Sequence, residues 1–271
     1  MSKRNLLLLM ESTRSAQVAR EIACRIAARG NCTLTGLHIE DLDFPSEVTK
    51  ESNLCQNLIE SIQTGHTDQA DVKDAEALLT SQDIRFHEKT LIGPKYSLLA
   101  QEAESNDVTL IGREGNFEEQ ADDAKEVISL MLQYRSRPLI ITPPEPVEGN
   151  EVLIAYDGNL KSSRAIQIFV LLGLAEGRQL TLLCVDTKKK TAQAKIDSIN
   201  AFLDQHEVSA TTEVIESRSN SRDVLAERIE STRPSIVVAG ARGTTGWRQT
   251  VFGSTGDYLI RHCPVPLFTS P

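Results

Sequence analysis

The 271-residue sequence lacks several features that would place it in a specialised class of protein. No apolar run approaches the roughly 18 to 20 residues needed to cross a bilayer. The longest run near the start, Leu6 to Met10, is too short for a signal-peptide core. The five cysteines form no Cys-x-x-Cys pair, and their odd number predicts reduced thiols in a cytoplasmic protein. The five histidines show no ligand spacing, so no metal site is expected.

An excess of positive charge is also missing. The formal net charge of -9 argues against a nucleic-acid-binding protein, which needs a basic surface. The charge is uneven, because residues 1–148 carry 15 Lys and Arg against 25 Asp and Glu, whereas residues 149–271 carry 14 against 13. An anionic ligand would therefore meet less repulsion in the second half of the chain.

Each half of the chain repeats one alternation of short apolar runs and helical patterns. The predicted strands lie at residues 6–10, 33–38, 84–91, 108–111 and 139–141, and again at 152–156, 180–185, 208–215, 236–239 and 266–269. The predicted helices lie at residues 16–28, 71–79, 98–104 and 124–132, and at 162–174, 192–203, 223–229 and 252–261. The strands alternate with helices and each is interpreted as apolar throughout, which predicts a parallel sheet with helices on both faces.

The repeat has a register. Gly112 corresponds to Gly240 at an offset of 128 residues, and Pro138 corresponds to Pro266 at the same offset. At the front of each half, Glu11 corresponds to Asp157 at an offset of 146, so the first half contains 18 extra residues, which we place within 41–69.

The length suits two domains of about 135 residues each. We therefore predict an α/β protein with two tandem open parallel sheets of five strands each. The domains comprise residues 1–143 and 150–271, and the linker is residues 144–149, where prolines prevent a helix from continuing.

A glycine pattern follows the predicted strand at residues 236–239. Gly240 and Gly243 are three residues apart, and Gly253-Ser254 stands at the start of a helical pattern. Glycine lets a backbone approach a phosphate closely, and a helix N-terminus offers unpaired N–H groups to the same anion. A glycine-rich loop that only forms tight turns is the alternative.

These residues resemble the universal stress protein family, whose nucleotide-binding members carry Gly-x2-Gly-x9-Gly-(Ser/Thr) at this place. The family's pattern after the first strand is similar to Asp157-Gly158-Asn159-x2-Ser162-x2-Ala165, with Asn159 standing where the family has serine. The tail at residues 259–266 also looks like the family's end. The likeness is strong in the second half and weak in the first.

The resemblance implies a Rossmann-like fold of the adenine nucleotide alpha hydrolase type that binds ATP, with Mg left open. Asp157 would accept a hydrogen bond from the adenine amino group, and the base would also meet the backbone of Val185. The residues implied to form the site are Ala155, Tyr156, Asp157, Val185, Ala239, Gly240, Arg242, Gly243, Gly253, Ser254 and Thr255.

Three features near this site have a second interpretation. Asp157 is either the adenine contact or an N-cap of the following helix. Arg242 is either a phosphate partner or a solvated charge. Lys188 to Lys190 form either a solvated helix start or an electrostatic aid to a polyphosphate.

The first half keeps little of the pattern. Lys125-Glu126 occupy the places of Gly253-Ser254, and Gly112 and Gly115 are the only remnants. Acidic residues gather around the place of the phosphates: Glu118, Glu119, Asp122, Asp123 and Glu126. We therefore predict that the first half binds no nucleotide.

Three functions remain open. The favoured one is a stress-response regulatory protein that binds ATP in its second half; the others are a weak ATPase and a partner-binding protein without nucleotide. No catalytic residue is assigned, because the motif has no P-loop lysine or clear water-orienting group beside it. In the family the final strands pair across a two-fold axis, so the strands at 138–142 and 266–270 are predicted to pair as an intramolecular pseudo-dimer. Further homodimer formation is left open, and neither nucleic acid nor membrane is an expected partner.

Overall fold

The structure is a computed structural model, and it describes residues 3–28, 32–40, 85–114, 123–134, 137–217, 219–241 and 254–271. The strands in these ranges are β1 (Arg4–Leu9), β2 (Cys32–Glu40), β3 (Arg85–Ile92), β4 (Val108–Gly112), β5 (Leu139–Thr142), β6 (Glu151–Ala155), β7 (Gln179–Asp186), β8 (Ala210–Glu216), β9 (Ile236–Gly240) and β10 (Leu267–Ser270). The helices are α1 (Arg14–Ala27), α2 (Lys95–Glu104), α3 (Asp123–Tyr134), α4 (Leu160–Leu171), α5 (Lys189–Gln205), α6 (Ser221–Thr232) and α7 (Ser254–His262).

The strands form one sheet in the order β3-β2-β1-β4-β5-β10-β9-β6-β7-β8. All neighbours are parallel except β5 and β10, which pair antiparallel at the centre. In that pair Ile140 lies opposite Phe268, and the residues on either side match symmetrically. These two residues are 128 positions apart in the sequence, so the predicted offset relates the two halves about the centre of the sheet.

Apolar side chains on the two faces of the sheet form two separate cores. One core contains residues of α1, α4 and α5, and the other contains residues of α2, α3, α6 and α7. Within β1, for example, Leu6 and Leu8 belong to the first core, whereas Leu7 and Leu9 belong to the second. Strands buried on both faces carry no polar alternation. The predicted α/β fold with parallel strands and helices on both faces is confirmed, but the two predicted five-stranded sheets are joined through β5 and β10 into one sheet.

The register of the repeat changes after the second strand of each half. Leu6 pairs with Val108 as Val152 pairs with Ile236, which preserves the offset of 146 for the first strands and 128 for the fourth. The extra residues of the first half therefore fall between β2 and β3. Their predicted place at residues 41–69 lies outside the described residues, as does the helix predicted at 71–79.

The predicted linker is described, but it does not test the division into domains. Residues 143–150 form neither helix nor strand and run from β5 into β6. The boundaries at residues 143 and 150 stay a prediction. Among the helices in the described ranges, none combines the length and apolar character of a membrane span.

The burial of the described cysteines predicts that their thiols react slowly in the folded protein. Cys24, Cys32, Cys184 and Cys263 are free and buried. Burial raises the pKa of each, to about 11 for Cys32 and Cys263, so little thiolate forms at pH 8. With an aromatic disulfide reagent we expect these four to react only after unfolding in guanidinium; Cys55 lies outside the described residues. Two or more fast-reacting thiols in the folded protein would contradict this assignment.

Candidate functional site

A cavity of about 270 Å³ lies at the carboxyl ends of β6, β7 and β9. It opens on the face of the sheet that α6 and α7 cover. Its lining residues are Ala155, Tyr156, Asp157, Ser162, Leu183, Val185, Lys195, Ser221, Leu225, Ala239, Gly240, Thr255, Gly256 and Leu259. Ligands of open parallel sheets bind at this edge, because the strands end there and the following helices begin there.

Most of the described residues that were predicted for the site meet at this cavity. They come from separate strands and a helix, and they are Ala155, Tyr156, Asp157, Val185, Ala239, Gly240 and Thr255. Ser254 begins α7. Arg242, Gly243 and Gly253 lie outside the described residues.

The turn after β6 holds the carboxylate of Asp157 in place. Its Oδ1 accepts from the backbone N–H of Asn159 at 3.1 Å and from the Ser162 hydroxyl at 2.6 Å, and its Oδ2 accepts from Asn159 Nδ2 at 2.5 Å. The N-cap of α4 is Asn159, whose side chain accepts from Ser162 N at 2.9 Å. The N-cap interpretation of Asp157 is therefore wrong, and the carboxylate stands exposed at the cavity.

The departure of Asn159 from the serine pattern has a local explanation. Asparagine and serine are equally good N-caps, so the exchange keeps the helix start. In the first half, Thr13 lies at the corresponding position, and its side chain caps α1 by accepting from Ala16 N at 3.1 Å.

Tyr156 is buried, and its hydroxyl lies 3.3 Å from Ser163 Oγ. Its side chain belongs to the core on the opposite face of the sheet. A ligand in the cavity would therefore meet the main chain of Tyr156 rather than its ring.

Lys195 is a cavity residue that the sequence did not indicate. Its Nζ lies 2.8 Å from Asp186 Oδ2, at the end of β7. This hydrogen bond raises the pKa of Lys195 and lowers that of Asp186, so both stay charged at neutral pH. The lysine stem crosses the turn: a Cβ added to Gly158, which has φ of +80°, would lie 2.7 Å from Lys195 Cγ. In the sequence, the only signal for the Lys195–Asp186 contact is that Lys195 stands next to Ile196, one of the buried apolar residues of α5.

Two helices begin side by side at the cavity. Ser221 Oγ, at the start of α6, lies 3.5 Å from Thr255 Oγ1, in the first turn of α7. The start of α4, with Ser162, forms a third side. Helix N-termini carry partial positive charge and free N–H groups, so this arrangement suits a ligand with an anionic end.

Gly240 has a packing role that is independent of any ligand. A Cβ added there would lie 2.5 Å from Ser162 N and 2.6 Å from Lys161 C, which are backbone atoms at the start of α4. Gly112 has the same role in the first half, where a Cβ would lie 2.7 Å from Ala16 N. The glycine retained in both halves therefore reflects close strand-to-helix contact and is not by itself a remnant of a phosphate site.

Larger side chains occupy the corresponding place in the first half. Leu9 stands where the second half has Ala155, and Glu11 stands where it has Asp157. Glu11 forms an ion pair with Lys95, the first residue of α2, in the position that Ser221 has in α6. The side chains of Glu11 and Lys95 are only 3% and 8% exposed.

This buried ion pair differs from the acidic cluster that the sequence indicated. Glu118, Glu119 and Asp122 lie outside the described residues, and the side chains of Asp123, Lys125 and Glu126 in α3 are not described. Among the described residues, the first half therefore differs from the second through the Glu11–Lys95 pair, which places a glutamate and a lysine at the position corresponding to the cavity.

A larger cavity of about 590 Å³ lies at the opposite edge of the sheet, where β6, β7 and β8 begin. It contains none of the predicted site residues, and its Arg228 is paired with Glu213 at 2.9 Å. Ligands of parallel sheets seldom bind at this edge, so the smaller cavity is the better candidate. Within the described part of the chain, no group of three or more His, Cys, Asp or Glu could hold a metal ion.

Comparison with known proteins gives a family match in the second half of the chain. Residues 150–271 match the sequence model of the Universal stress protein family. These residues form a universal stress protein domain. A search of curated proteins found no match to the chain.

Solved structures resemble the whole chain, including the half that precedes the universal stress protein domain. A universal stress protein from Archaeoglobus fulgidus DSM 4304 matches with a TM-score of 0.76 at 15% identity, over 100% of this chain and 99% of that one. A functionally unknown protein from Pseudomonas aeruginosa PAO1 matches with a TM-score of 0.62 at 13% identity, over 99% and 92%. At such identities the likeness shows the fold alone.

Proposed function

We propose that this protein is a stress-response regulator that binds ATP in its universal stress protein domain and binds no nucleotide in its first half. One observation carries the proposal: residues predicted for an ATP site from separate parts of the sequence line one cavity at the carboxyl edge of the sheet. Helix starts surround this cavity, and they favour the anionic phosphates.

The proposed binding mode assigns the adenine to the end of the cavity next to Asp157. Its carboxylate would accept a hydrogen bond from the adenine amino group, while the backbone of Val185 borders the base. Ala155 and Ala239 leave room for a flat ring because their side chains are small. Gly240, Arg242 and Gly243 would surround the ribose and the first phosphate.

The outer phosphates would lie at the start of α7, where Gly253, Ser254 and Thr255 supply N–H and hydroxyl donors. A Mg²⁺ ion bound with the ATP would be held mainly by the phosphates, because the described residues provide no cluster of acidic ligands. We expect no efficient hydrolysis. The nearby Asp257 is paired with Arg261 at 2.8 Å, and Asp157, which accepts from the Ser162 hydroxyl, is assigned to the adenine. Neither carboxylate is therefore assigned to activating a water molecule at the phosphates.

The first half would then be a degenerate copy of the domain. Its buried Glu11–Lys95 pair would occupy the place of the base, and separating these charges would leave each buried without its counter-ion. Through β5 and β10 the two halves would act as an intramolecular pseudo-dimer with one site.

The role of Asp157 predicts a change in base preference. By titration calorimetry, Asp157→Ala should weaken ATP binding about tenfold, because a hydrogen bond to a charged group is lost. Inosine triphosphate lacks the amino group, so it should bind the unaltered protein more weakly than ATP, and the variant should bind the two nucleotides almost equally.

Asn159→Ser is the matched control, since serine also caps α4. The Asp157 carboxylate loses the hydrogen bond from Asn159 Nδ2 but keeps those from the backbone N–H of residue 159 and from the Ser162 hydroxyl. The Asn159→Ser variant should bind ATP like the unaltered protein. If Asp157→Ala keeps full preference for ATP over inosine triphosphate, the adenine assignment is wrong.

A further inference from the structure

Two arginines of the first half donate hydrogen bonds to helix ends in the second half. Arg113 follows β4, and its guanidinium donates to the carbonyl oxygen of Arg261 at 3.3 Å and to that of Cys263. These carbonyls lie at the C-terminal end of α7. Arg4, in β1, is only 6% exposed and donates from Nη1 to the carbonyl oxygen of Leu172 at 2.9 Å, at the C-cap of α4.

These contacts are not repeated in the opposite direction. The residue corresponding to Arg113 is Ala241, which has no side-chain donor. The residue corresponding to Arg4 is Asn150, whose side chain donates to Gly177 within its own half. The asymmetry runs from the half without the predicted site toward the half with it.

The two helices held in this way are helices that begin at the cavity. Ser162 of α4 and Thr255 of α7 line it, at the ends opposite to the arginine contacts. A helix of nine residues behaves as a short rigid rod of about 13 Å, so a shift at one end displaces the other. A cation at the C-terminal end also complements the helix dipole.

We propose that the first half serves as a support for the cavity of the second half, with Arg113 and Arg4 as positioning residues for α7 and α4. The proposal rests on the proposed function only for the identity of the ligand. The proposal gives the first half a role although its own site is altered. Its two guanidinium groups hold α7 and α4 so that the starts of these helices keep the arrangement that a phosphate chain needs.

The test combines amide hydrogen exchange with ATP titration on the full chain. Arg113→Gln should speed exchange in α7 of the nucleotide-free protein, more than in α6, and should weaken ATP binding about three- to tenfold. Arg113→Lys, which keeps the charge, should recover part of both effects. The matched control is Arg137→Gln, because Arg137 donates at 3.1 Å to Glu104 O at the end of α2, a helix of the first half.

The Arg137 variant should leave α7 exchange and ATP affinity unchanged, and Arg4→Lys should affect α4 rather than α7. Unchanged α7 exchange in Arg113→Gln would overturn the proposal. Faster exchange in α7 of Arg113→Gln with unchanged ATP affinity would also overturn it. An equal loss of ATP affinity in Arg137→Gln would do the same. If the unaltered protein binds no ATP, the proposed function fails, and the exchange result alone decides whether Arg113 holds α7.

Discussion

Replacing Gly112 by alanine should lower the free energy of unfolding by about 3 kcal/mol, and Gly240→Ala should lower it by a similar amount. At each position the new methyl group would meet backbone atoms at the start of the first helix of the same half, at 2.7 Å from Ala16 N for Gly112 and 2.5 Å from Ser162 N for Gly240. Backbone at a helix start cannot rotate away, so the strand and the helix must separate. Urea unfolding of both variants measures the effect.

Gly177→Ala is a suitable control, because nothing lies within 4 Å of the added Cβ and only the φ of +66° is unfavourable. It should cost about 1 kcal/mol. A Gly112→Ala variant of normal stability would show that the glycine is not required for packing.

Ala155→Leu should weaken ATP binding at least about tenfold while changing stability little. Ala155 is half-buried at the cavity wall, so a larger side chain would project into the space assigned to the base. The substitution installs the residue found at the corresponding position of the first half, Leu9. Calorimetric titration with ATP measures the loss, and Ala155→Ser, which preserves side-chain size, should retain binding.

The reverse exchange should have the opposite signature. Leu9 has 0% exposure in the core of the first half, so Leu9→Ala should cost about 2 to 5 kcal/mol of stability and leave ATP affinity unchanged. If Ala155→Leu binds ATP normally, the base does not lie against this wall of the cavity.

The sequence predicted each described strand and helix at least in part, because the strands are short apolar or β-rich runs and the helices have apolar residues at helical spacing. The strand at residues 236–239 is observed as Ile236–Gly240, and the helix at 192–203 as Lys189–Gln205. The helix starts were less accurate because caps decide them: α4 begins at Leu160, two residues before the predicted start, because Asn159 caps it by accepting from Ser162 N. The symmetric pairing of Ile140 with Phe268 also follows the predicted offset.

Contacts between distant side chains could not be predicted in this way. The pairing of Lys195 with Asp186 depends on how α5 lies against β7, which the periodicity of neither element specifies. The duplicated fold shows the same limit, since Lys89 pairs with Glu102 at 2.6 Å in the first half, whereas Glu213 pairs with Arg228 at the corresponding place in the second. Both halves therefore have an ion pair between this strand and this helix, but the positive and negative residues are exchanged. Aligning the two halves by residue type does not reveal the shared contact.

The glycine pattern was interpreted as a phosphate cradle or as tight turns, and close packing of Gly240 was missed, because a sequence does not show which backbone lies beside a missing Cβ. For Gly240 and Gly112 the neighbouring backbone is a helix start. The same limit applies to Glu11, which corresponded to Asp157 in register, although its burial with Lys95 became visible only in the fold.

Native mass spectrometry of the full chain at saturating ATP tests the central claim most directly, because it counts bound nucleotides per molecule. One ATP per chain is the predicted result, retained in Leu9→Ala and reduced in Ala155→Leu when the ATP concentration is close to the Kd of the unaltered protein. Two ATP molecules per chain, or none, would contradict it.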